Sequence, residues 1–327
     1  MHTQKKIIVL CSSVLLVLSA LLFAKPKAAS LENSTLKVVT TIFPEYDWTK
    51  QILGDRAKGV ELTLLLDKGV DLHSFQPTIQ DIAKVSNADI FIYVGGESDE
   101  WVEDVLKTAK NKNMIAINLL EALGNRAKNE EVIEGMEAEE EGNEDEAEFD
   151  EHVWLSLKNA QVLCAVIADA LCQKDAQYAA MYRANLAAYT IHLAALDADY
   201  VAAVHSAKQK TVLFADRFPF RYLVDDYGLN YYAAFLGCSA ETEASFKTIA
   251  FLASKVNELG LQNVCQIESG NGKLARTVIS NSKNKKANIL TFDSMQSTNA
   301  RDVKKGVSYV EIMQKNLAVL QQALEAR

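Results

Sequence analysis

The stretch that decides the fold is YAAMYRANLAAYTIHLAALDADYVAAVHSAKQ, residues 178–209, which contains neither glycine nor proline. It is rich in alanine, leucine and tyrosine, and the absence of residues that break helices predicts one continuous helix. At about 1.5 Å per residue, a helix of this length would extend roughly 48 Å, which is more than the width of a domain. We therefore expect a stiff connector that holds two lobes at a nearly fixed angle, with a ligand bound at their seam.

Alternating strand and helix patterns lie on both sides of this helix. Before it, β-rich runs predict strands at 36–42, 60–65, 89–94 and 114–117, with helical periodicity between them, as at 78–86 and 101–110. After it, the predicted strands are 211–215, 231–235, 263–267 and 287–292, and the predicted helices are 220–227, 245–259, 273–280 and 308–326. Such alternation indicates an α/β fold with two lobes, each a mostly parallel sheet flanked by helices.

The predicted organisation has four parts. Residues 1–30 are typical of an export signal, because Lys5 and Lys6 precede an apolar run at 7–24 and small residues follow at 28–30. An N-terminal α/β lobe at 31–177, the linking helix at 178–209 and a C-terminal α/β lobe at 210–327 complete the chain. We expect an extracytoplasmic protein, in the periplasm or on the outer face of the cell membrane. It would meet the membrane only through the signal or a lipid-type tether, although the apolar run is nearly long enough to stay as an uncleaved anchor.

Charge is concentrated in one segment. The formal net charge is −9, and the first thirty residues carry four lysines and no acid, so the chain after them carries −9 − 4 = −13. Residues 129–151 alone contain thirteen acidic residues and no lysine or arginine. The rest is close to neutral, which argues against nucleic-acid binding. We expect this acidic segment to be a disordered or mobile loop that either concentrates cations or only aids solubility.

Four cysteines follow the predicted signal. Cys164 and Cys172 lie in an apolar helical stretch and are predicted to be buried thiols. Cys238 and Cys265 lie near the ends of predicted strands, where a disulfide between them is one possibility. The sequence contains no Cys-x-x-Cys motif, which disfavours a thiolate zinc site and thioredoxin-like redox chemistry.

A short motif containing histidine occurs twice. It is DLHSF at 71–75 and DEHVW at 150–154, in a chain with only five histidines. Neutral imidazole is the commonest metal ligand in proteins, and its second ring nitrogen needs an acceptor that fixes the tautomer. The repeat therefore predicts a metal site that includes His73 and His152. The other histidines are predicted to be structural or incidental: His2, His192 and His205.

Carboxylates follow three predicted strands in the second half. They are Asp216, Glu268 and Asp293. Ligands of open parallel sheets bind beyond the carboxyl ends of strands, so these side chains are candidate ligands that would face the histidines. For Asp216 and Glu268 the sequence equally allows helix capping or pairing with Arg217 and Lys273.

Four stretches carry a resemblance to a known family. They are TIFPEYD at 41–47, DLHSFQPT at 71–78, ADIFIYVGG at 88–96 and EHVWLSLKNA at 151–160. With them, the chain from about residue 36 to its end resembles the solute-binding receptors of ABC transporters for zinc and manganese. The resemblance implies two α/β lobes joined by a long helix, with a metal held in the cleft by two residues from each lobe.

The resemblance also assigns individual ligands. His73 and His152 match the two histidines of the first lobe, and Asp293 matches an aspartate after the last strand. The remaining ligand, a His or Glu, precedes a tyrosine by five positions, and counting back from Tyr222 leads to Arg217. A guanidinium has no lone pair to donate. Asp216, Glu268 or water are therefore the alternatives for that position.

Two further departures accompany Arg217. The acidic segment stands where zinc receptors of this family often carry a histidine-rich insertion. The family's Asp-Pro-His proline is replaced by Leu72 and Glu151 in the two motifs.

The expected function is metal capture. The resemblance implies a receptor, not an enzyme, that passes a divalent metal to an ABC transporter permease. Two imidazoles with carboxylates suit zinc, Mn²⁺ and Fe²⁺, and zinc is the first expectation because raw affinity favours it over manganese. Two other classes are a secreted metal-dependent hydrolase and a metal-stabilised surface adhesin. The hydrolase is disfavoured because the sequence has no His-Glu-x-x-His motif.

Overall fold

The structure is a computed structural model that describes residues 35–137, 148–239 and 243–325. The predicted export signal and the centre of the acidic segment, residues 138–147, lie outside the described residues. Within the described part of the chain, none of the helices has the length and apolar character needed to cross a membrane.

The first lobe contains a parallel sheet of four strands in the order β2-β1-β3-β4. Its central strands are apolar on both faces: Val38 and Val39 in β1 and Ile90, Phe91 and Ile92 in β3 are almost completely buried. The strands are β1 Lys37–Thr40, β2 Glu61–Leu64, β3 Ile90–Tyr93 and β4 Ile115–Asn118. The helices that cover them are α1 Phe43–Leu53, α2 Ile79–Ser86, α3 Trp101–Thr108, α4 Leu119–Leu123 and α5 Leu157–Lys174.

The linking helix α6, Ala179–Ser206, has 28 residues and is roughly 42 Å long. It begins one residue later than predicted, after the 3-10 turn Ala176–Tyr178, and ends three residues earlier, where Ala207 is extended. The helix packs on both lobes, since Asn185 donates to the carbonyl of Ile52 and the Tyr200 hydroxyl donates to that of Met313. The predicted long helix is therefore confirmed, and its buried face belongs to the core of both lobes.

The second lobe repeats the strand order of the first, as β6-β5-β7-β8, again all parallel. The strands are β5 Thr211–Phe218, β6 Asn230–Leu236, β7 Asn263–Ile267 and β8 Asn288–Phe292. The helices are α7 Arg221–Tyr227, α8 Phe246–Glu258, α9 Lys273–Asn281, α10 Ala300–Lys304 and α11 Tyr309–Ala323. In each sheet the strand order reverses beside the first strand, and such switch points are where open α/β sheets bind ligands.

Three buried aromatic side chains join the lobes around the second histidine motif. The indole of Trp154 donates to the Ser294 carbonyl at 2.9 Å, and the Tyr309 hydroxyl donates to the Trp154 carbonyl at 2.7 Å. The Tyr222 hydroxyl donates to the Asp150 carbonyl at 2.9 Å. The loop before α5 belongs to the first lobe and is therefore held in place by hydrogen bonds to the second lobe.

The described flanks of the acidic segment are ordered by specific contacts. Asn129 and Phe149 form an antiparallel bridge, and Glu131 pairs with Arg221 of the second lobe. Asp150 and Glu151 are each only 3% exposed. The expectation of a solvated loop is wrong for Asp150 and Glu151, whose buried carboxylates accept N–H groups that offset their desolvation.

Candidate metal centre

The repeated Asp-x-His motif has the same backbone role in both places. His73 lies in the 3-10 turn Leu72–Ser74 after β2, where the Asp71 carboxylate accepts the His73 backbone N–H at 3.1 Å. In the second motif, Asp150 accepts the His152 backbone N–H at 2.9 Å. A carboxylate two residues before each histidine therefore sets the loop that presents the ring, as short side chains commonly do in turns.

The ring of His152 is completely buried and oriented by the same aspartate. Its Nδ1 lies 3.0 Å from Asp150 Oδ1, and its Nε2 lies 3.0 Å from the side-chain nitrogen of Gln296. A carboxylate accepts only, so His152 carries its proton on Nδ1 and presents the Nε2 lone pair. This is the carboxylate–histidine arrangement that orients metal ligands.

His73 obtains its ring partners from elsewhere in the first lobe. Its Nδ1 lies 2.8 Å from Ser98 Oγ and 3.4 Å from Glu151 Oε2. Glu151 is itself held by the Ser98 backbone N–H at 2.9 Å. Gly96 makes room for this carboxylate, since it has a φ of +78° and a Cβ there would lie 2.3 Å from Glu151 Oε1. An Nδ1–H facing these two acceptors leaves the lone pair of His73 on Nε2.

The two Nε2 atoms lie 3.2 Å apart. Two imidazole ligands of a tetrahedral zinc ion, each bound at about 2.0–2.1 Å, are separated by about 3.3–3.4 Å. When both rings carry their proton on Nδ1, the two Nε2 lone pairs therefore lie at the spacing of a shared cation.

Burial and charge move the pKa of the two rings in opposite directions. Burial and the neighbouring His152 lower the pKa of His73 to about 3. Burial also opposes protonation of His152, but the charge and hydrogen bond of Asp150 outweigh it and raise the pKa of that ring. The His73 ring is thus uncharged near neutral pH and can coordinate a metal, whereas a cation must compete with a proton for the His152 ring.

A thiol from the second lobe completes this cluster. Among the described residues, His73, His152 and Cys238 form a group whose potential ligand atoms all lie within 4.8 Å of one another. Cys238 follows β6, and the four cysteines of the described chain are unpaired, so the possible disulfide with Cys265 is absent. Burial and nearby carboxylates, chiefly Glu130, raise the pKa of the Cys238 thiol well above its ordinary value.

An acidic cavity of about 670 Å³ opens onto the cluster. His73 and Cys238 form part of its lining. Its other described lining residues include no lysine or arginine and five glutamates: Glu97, Glu100, Glu130, Glu148 and Glu151. Walls of one charge sign raise the local concentration of the opposite ion. The cavity therefore favours cations over anions.

The three predicted carboxylates lie outside this cluster. Asp216 lies within β5, which extends beyond its predicted end, and accepts the Ile267 backbone N–H at 3.2 Å. Glu268 accepts the backbone N–H and hydroxyl of Ser294 at 2.7 and 2.9 Å. Asp293 accepts the Met295 backbone N–H at 2.8 Å. In this structure they shape the loops of the second lobe, and their role as ligands stays a prediction.

Comparison with known proteins places the chain in a family. The family described as zinc-uptake complex component A, periplasmic (ZnuA), matches residues 38–323. The chain belongs to the ZnuA family. The sequence resemblance to receptors of metal ABC transporters is thereby confirmed.

Two relatives illustrate the extent of the similarity. The zinc-binding protein AdcA of Streptococcus pyogenes serotype M3 is 31% identical over 324 residues, covering 97% of this chain and 61% of AdcA. The chain thus spans about three fifths of the AdcA relatives it matches. The high-affinity zinc uptake system protein ZnuA of Bacillus subtilis is 28% identical over 302 residues, covering 91% of this chain and 90% of that protein.

Solved structures of similar sequence share the fold. The Zn(II)-bound ZnuA-like domain of Streptococcus pneumoniae AdcA matches with a TM-score of 0.70 at 29% identity, covering 90% of this chain and all of that one. The metal-dependent lipoprotein YcdH of Bacillus subtilis matches with a TM-score of 0.72 at 27% identity, covering 89% of this chain and all of that one. The predicted two-lobed α/β architecture is confirmed.

The second-lobe face beside the histidines carries Arg217 and Gln296. Arg217, at the position where the resemblance expects a ligand, pairs with Asp71 across the seam at 2.7 Å. Gln296 donates toward His152 Nε2 and lies 3.5 Å from Asp71 Oδ1. Neither side chain brings negative charge to the histidines.

Sequence reasoning missed both Gln296 and Cys238. Gln296 lies in the loop after β8, and a neutral amide is a weak sequence signal. For Cys238 the sequence offered only a possible disulfide, because the absence of a Cys-x-x-Cys motif disfavours a thiolate zinc site. Its position two residues after the end of β6 was the available signal, since residues beyond the carboxyl ends of strands line ligand sites.

Proposed function

We propose that this protein is an extracytoplasmic receptor that binds zinc at His73 and His152 and delivers it to the permease of an ABC transporter. One observation carries the proposal: two imidazole Nε2 atoms lie 3.2 Å apart, each with its Nδ1 turned toward a carboxylate. Relatives named as zinc-binding proteins and a Zn(II)-bound ZnuA-like domain support the choice of metal.

Physical chemistry also favours zinc over the alternatives. Divalent metals bind nitrogen ligands with affinities that rise from Mn²⁺ through Fe²⁺ and then to Zn²⁺. Zinc accepts tetrahedral coordination, which suits a buried cluster with few ligands. Mn²⁺ and Fe²⁺ remain possible cargo of the same site, with weaker binding expected.

The seam location suits capture and release. Second-lobe groups reach His152 through Gln296 and reach the His73 loop through Arg217. A change in the relative position of the lobes would alter the site, which is how a receptor could exchange cargo with a membrane partner. The comparisons give the alternative of a hydrolase no support, because the relatives are named as zinc-binding and zinc-uptake proteins.

Calorimetric titration of zinc into metal-stripped protein tests the proposal. Replacing His73 or His152 by alanine removes a lone pair and should weaken zinc binding by more than about 100-fold, above the effect of losing an outer partner. His192→Ala is the matched control, because His192 is an exposed histidine on α6. If all three variants bind zinc with the affinity of the unmodified protein, the proposed site is wrong.

A further inference from the structure

We infer that Cys238 supplies a thiolate ligand from the second lobe, so that the cargo cation is held by two imidazoles and one sulfur. The inference rests on the proposed function, since it adds a third ligand to the site of His73 and His152. On binding, the Cys238 S–H bond breaks, sulfur donates its electron pair to the cation, and the proton leaves to solvent.

The first argument is distance. One potential ligand atom from each of His73, His152 and Cys238 lies within 4.8 Å of the other two, and the Nε2 atoms of the two rings lie 3.2 Å apart. For tetrahedral zinc with Zn–N of about 2.05 Å and Zn–S of about 2.3 Å, each nitrogen would lie about 3.6 Å from the sulfur. Separations within 4.8 Å exceed this spacing by at most about 1.2 Å, a movement that a side-chain rotation can supply.

The second argument is how the loop after β6 is built. Gly237 lets that loop approach the His152 ring, because a Cβ there would lie 2.8 Å from His152 Cε1 and 3.0 Å from Nδ1. The Cys238 backbone N–H points toward Glu130 Oε1 of the first lobe at 3.4 Å. Gly237 therefore allows the loop to lie close to His152, and Cys238 itself contacts the first lobe across the seam.

The third argument is that the other candidate groups of the second lobe are already paired elsewhere. Arg217 has no lone pair and is paired with Asp71. The carboxylates considered from sequence accept hydrogen bonds within their own lobe. Among the described residues, the group of potential ligands around the two histidines contains one second-lobe member, Cys238.

A thiolate ligand defines the class of cargo. Soft sulfur donors select zinc and other thiophilic metals, whereas manganese prefers carboxylate, carbonyl and water oxygens. The cluster of two nitrogens and one sulfur therefore predicts a receptor that strongly discriminates against Mn²⁺.

Cobalt(II) is the probe that tests this inference. Bound thiolate gives Co²⁺ an intense near-ultraviolet charge-transfer band that imidazole and carboxylate do not give. The purified protein loaded with Co²⁺ should show the band. Cys238→Ser should lose the band and bind zinc at least about tenfold more weakly, whereas the control Cys172→Ser should keep both properties.

A second variant covers the case in which Cys238→Ser does not fold. Cys238→His offers nitrogen in place of sulfur and should retain zinc binding while losing the charge-transfer band. A band that persists in either variant, or an unchanged zinc affinity in Cys238→Ser, overturns the inference. If the His73→Ala and His152→Ala variants still lose zinc in that case, the proposed function stands without Cys238.

Discussion

The two lobes share one strand order but present different chemistry at their seam. The first lobe presents His73 and His152, each with a capped backbone and an oriented ring. The second lobe presents Arg217, Gln296 and a single thiol. The topology brings strand ends together in both lobes, but the side chains after those strands decide which lobe holds a cation firmly.

The difference concerns how far each half of the site is organised before a cation arrives. In the first lobe, buried carboxylates orient the imidazoles, and these charges are kept out of water at an energetic cost. In the second lobe, the carboxylates Asp216, Glu268 and Asp293 stabilise their own loops. We interpret the first lobe as the primary binding half and the second as the half that completes and encloses the site.

The largest predicted effect concerns the buried Asp99 beside the first half of the site. Burial, together with the charge of Glu151, raises the pKa of Asp99 from 3.8 to about 7. The folded state then holds this proton more tightly than the unfolded state, so the stability it contributes is complete below about pH 4 and is lost as pH rises toward 7. Each unit corresponds to about 1.4 kcal/mol, so the expected loss is about 2–4 kcal/mol.

Denaturant unfolding of the metal-free protein between pH 4 and 7 measures this effect. Asp99→Asn keeps an acceptor for the Gly95 N–H and should flatten the decline. An exposed aspartate without this environment, Asp55, provides the control, and Asp55→Asn should leave the profile unchanged. If Asp99→Asn unfolds with the same pH dependence as the unmodified protein, the ionisation of Asp99 does not lower the free energy of unfolding as predicted.

The next effect concerns the orientation of His152. Asp150→Ala removes the acceptor of both the His152 backbone N–H and its Nδ1. Loss of such a partner typically weakens metal binding by about 10–100-fold. Zinc titration of Asp150→Ala should show a decrease of this size with binding stoichiometry unchanged. An affinity equal to that of the unmodified protein would show that the ring needs no orientation.

The smallest effect belongs to the second lobe. Glu268→Gln weakens the hydrogen bonds to Ser294 and Ser297, which should lower the free energy of unfolding by about 1–2 kcal/mol. Its zinc affinity should change much less than that of Asp150→Ala. A loss of zinc binding as large as that of His152→Ala would instead identify Glu268 as a ligand, the role that the sequence left open.

Sequence patterns predicted the fold well because its central strands, such as β1 and β3, are buried on both faces. Within the predicted strand 89–94, the run 90–94 is continuous and apolar, and the structure places β3 within that range. The end of β5 was predicted too early, since Asp216 and Arg217 resemble a loop, whereas hydrogen bonds to neighbouring strands and Asp71 hold them in place. The short helices α4 and α10, with five residues each, carry too little periodicity to be recognised.

The site could be predicted only where its contacts are local. The Asp-x-His repeat reports a contact between residues two positions apart, so it pointed to His73 and His152 directly. The partners from the second lobe come from distant parts of the chain, as Gln296 lies 144 positions from His152. No local pattern encodes such a contact, and the strand-end rule named Asp216, Glu268 and Asp293 but not Cys238.

The central claim is that one cation lies between the two imidazoles, and anomalous X-ray scattering from a zinc-loaded crystal tests it most directly. The account predicts a zinc peak at about 2.0–2.1 Å from the Nε2 atoms of both His73 and His152. A zinc ion bound elsewhere, for example on the glutamates that line the cavity with the two Nε2 atoms unligated, would contradict it.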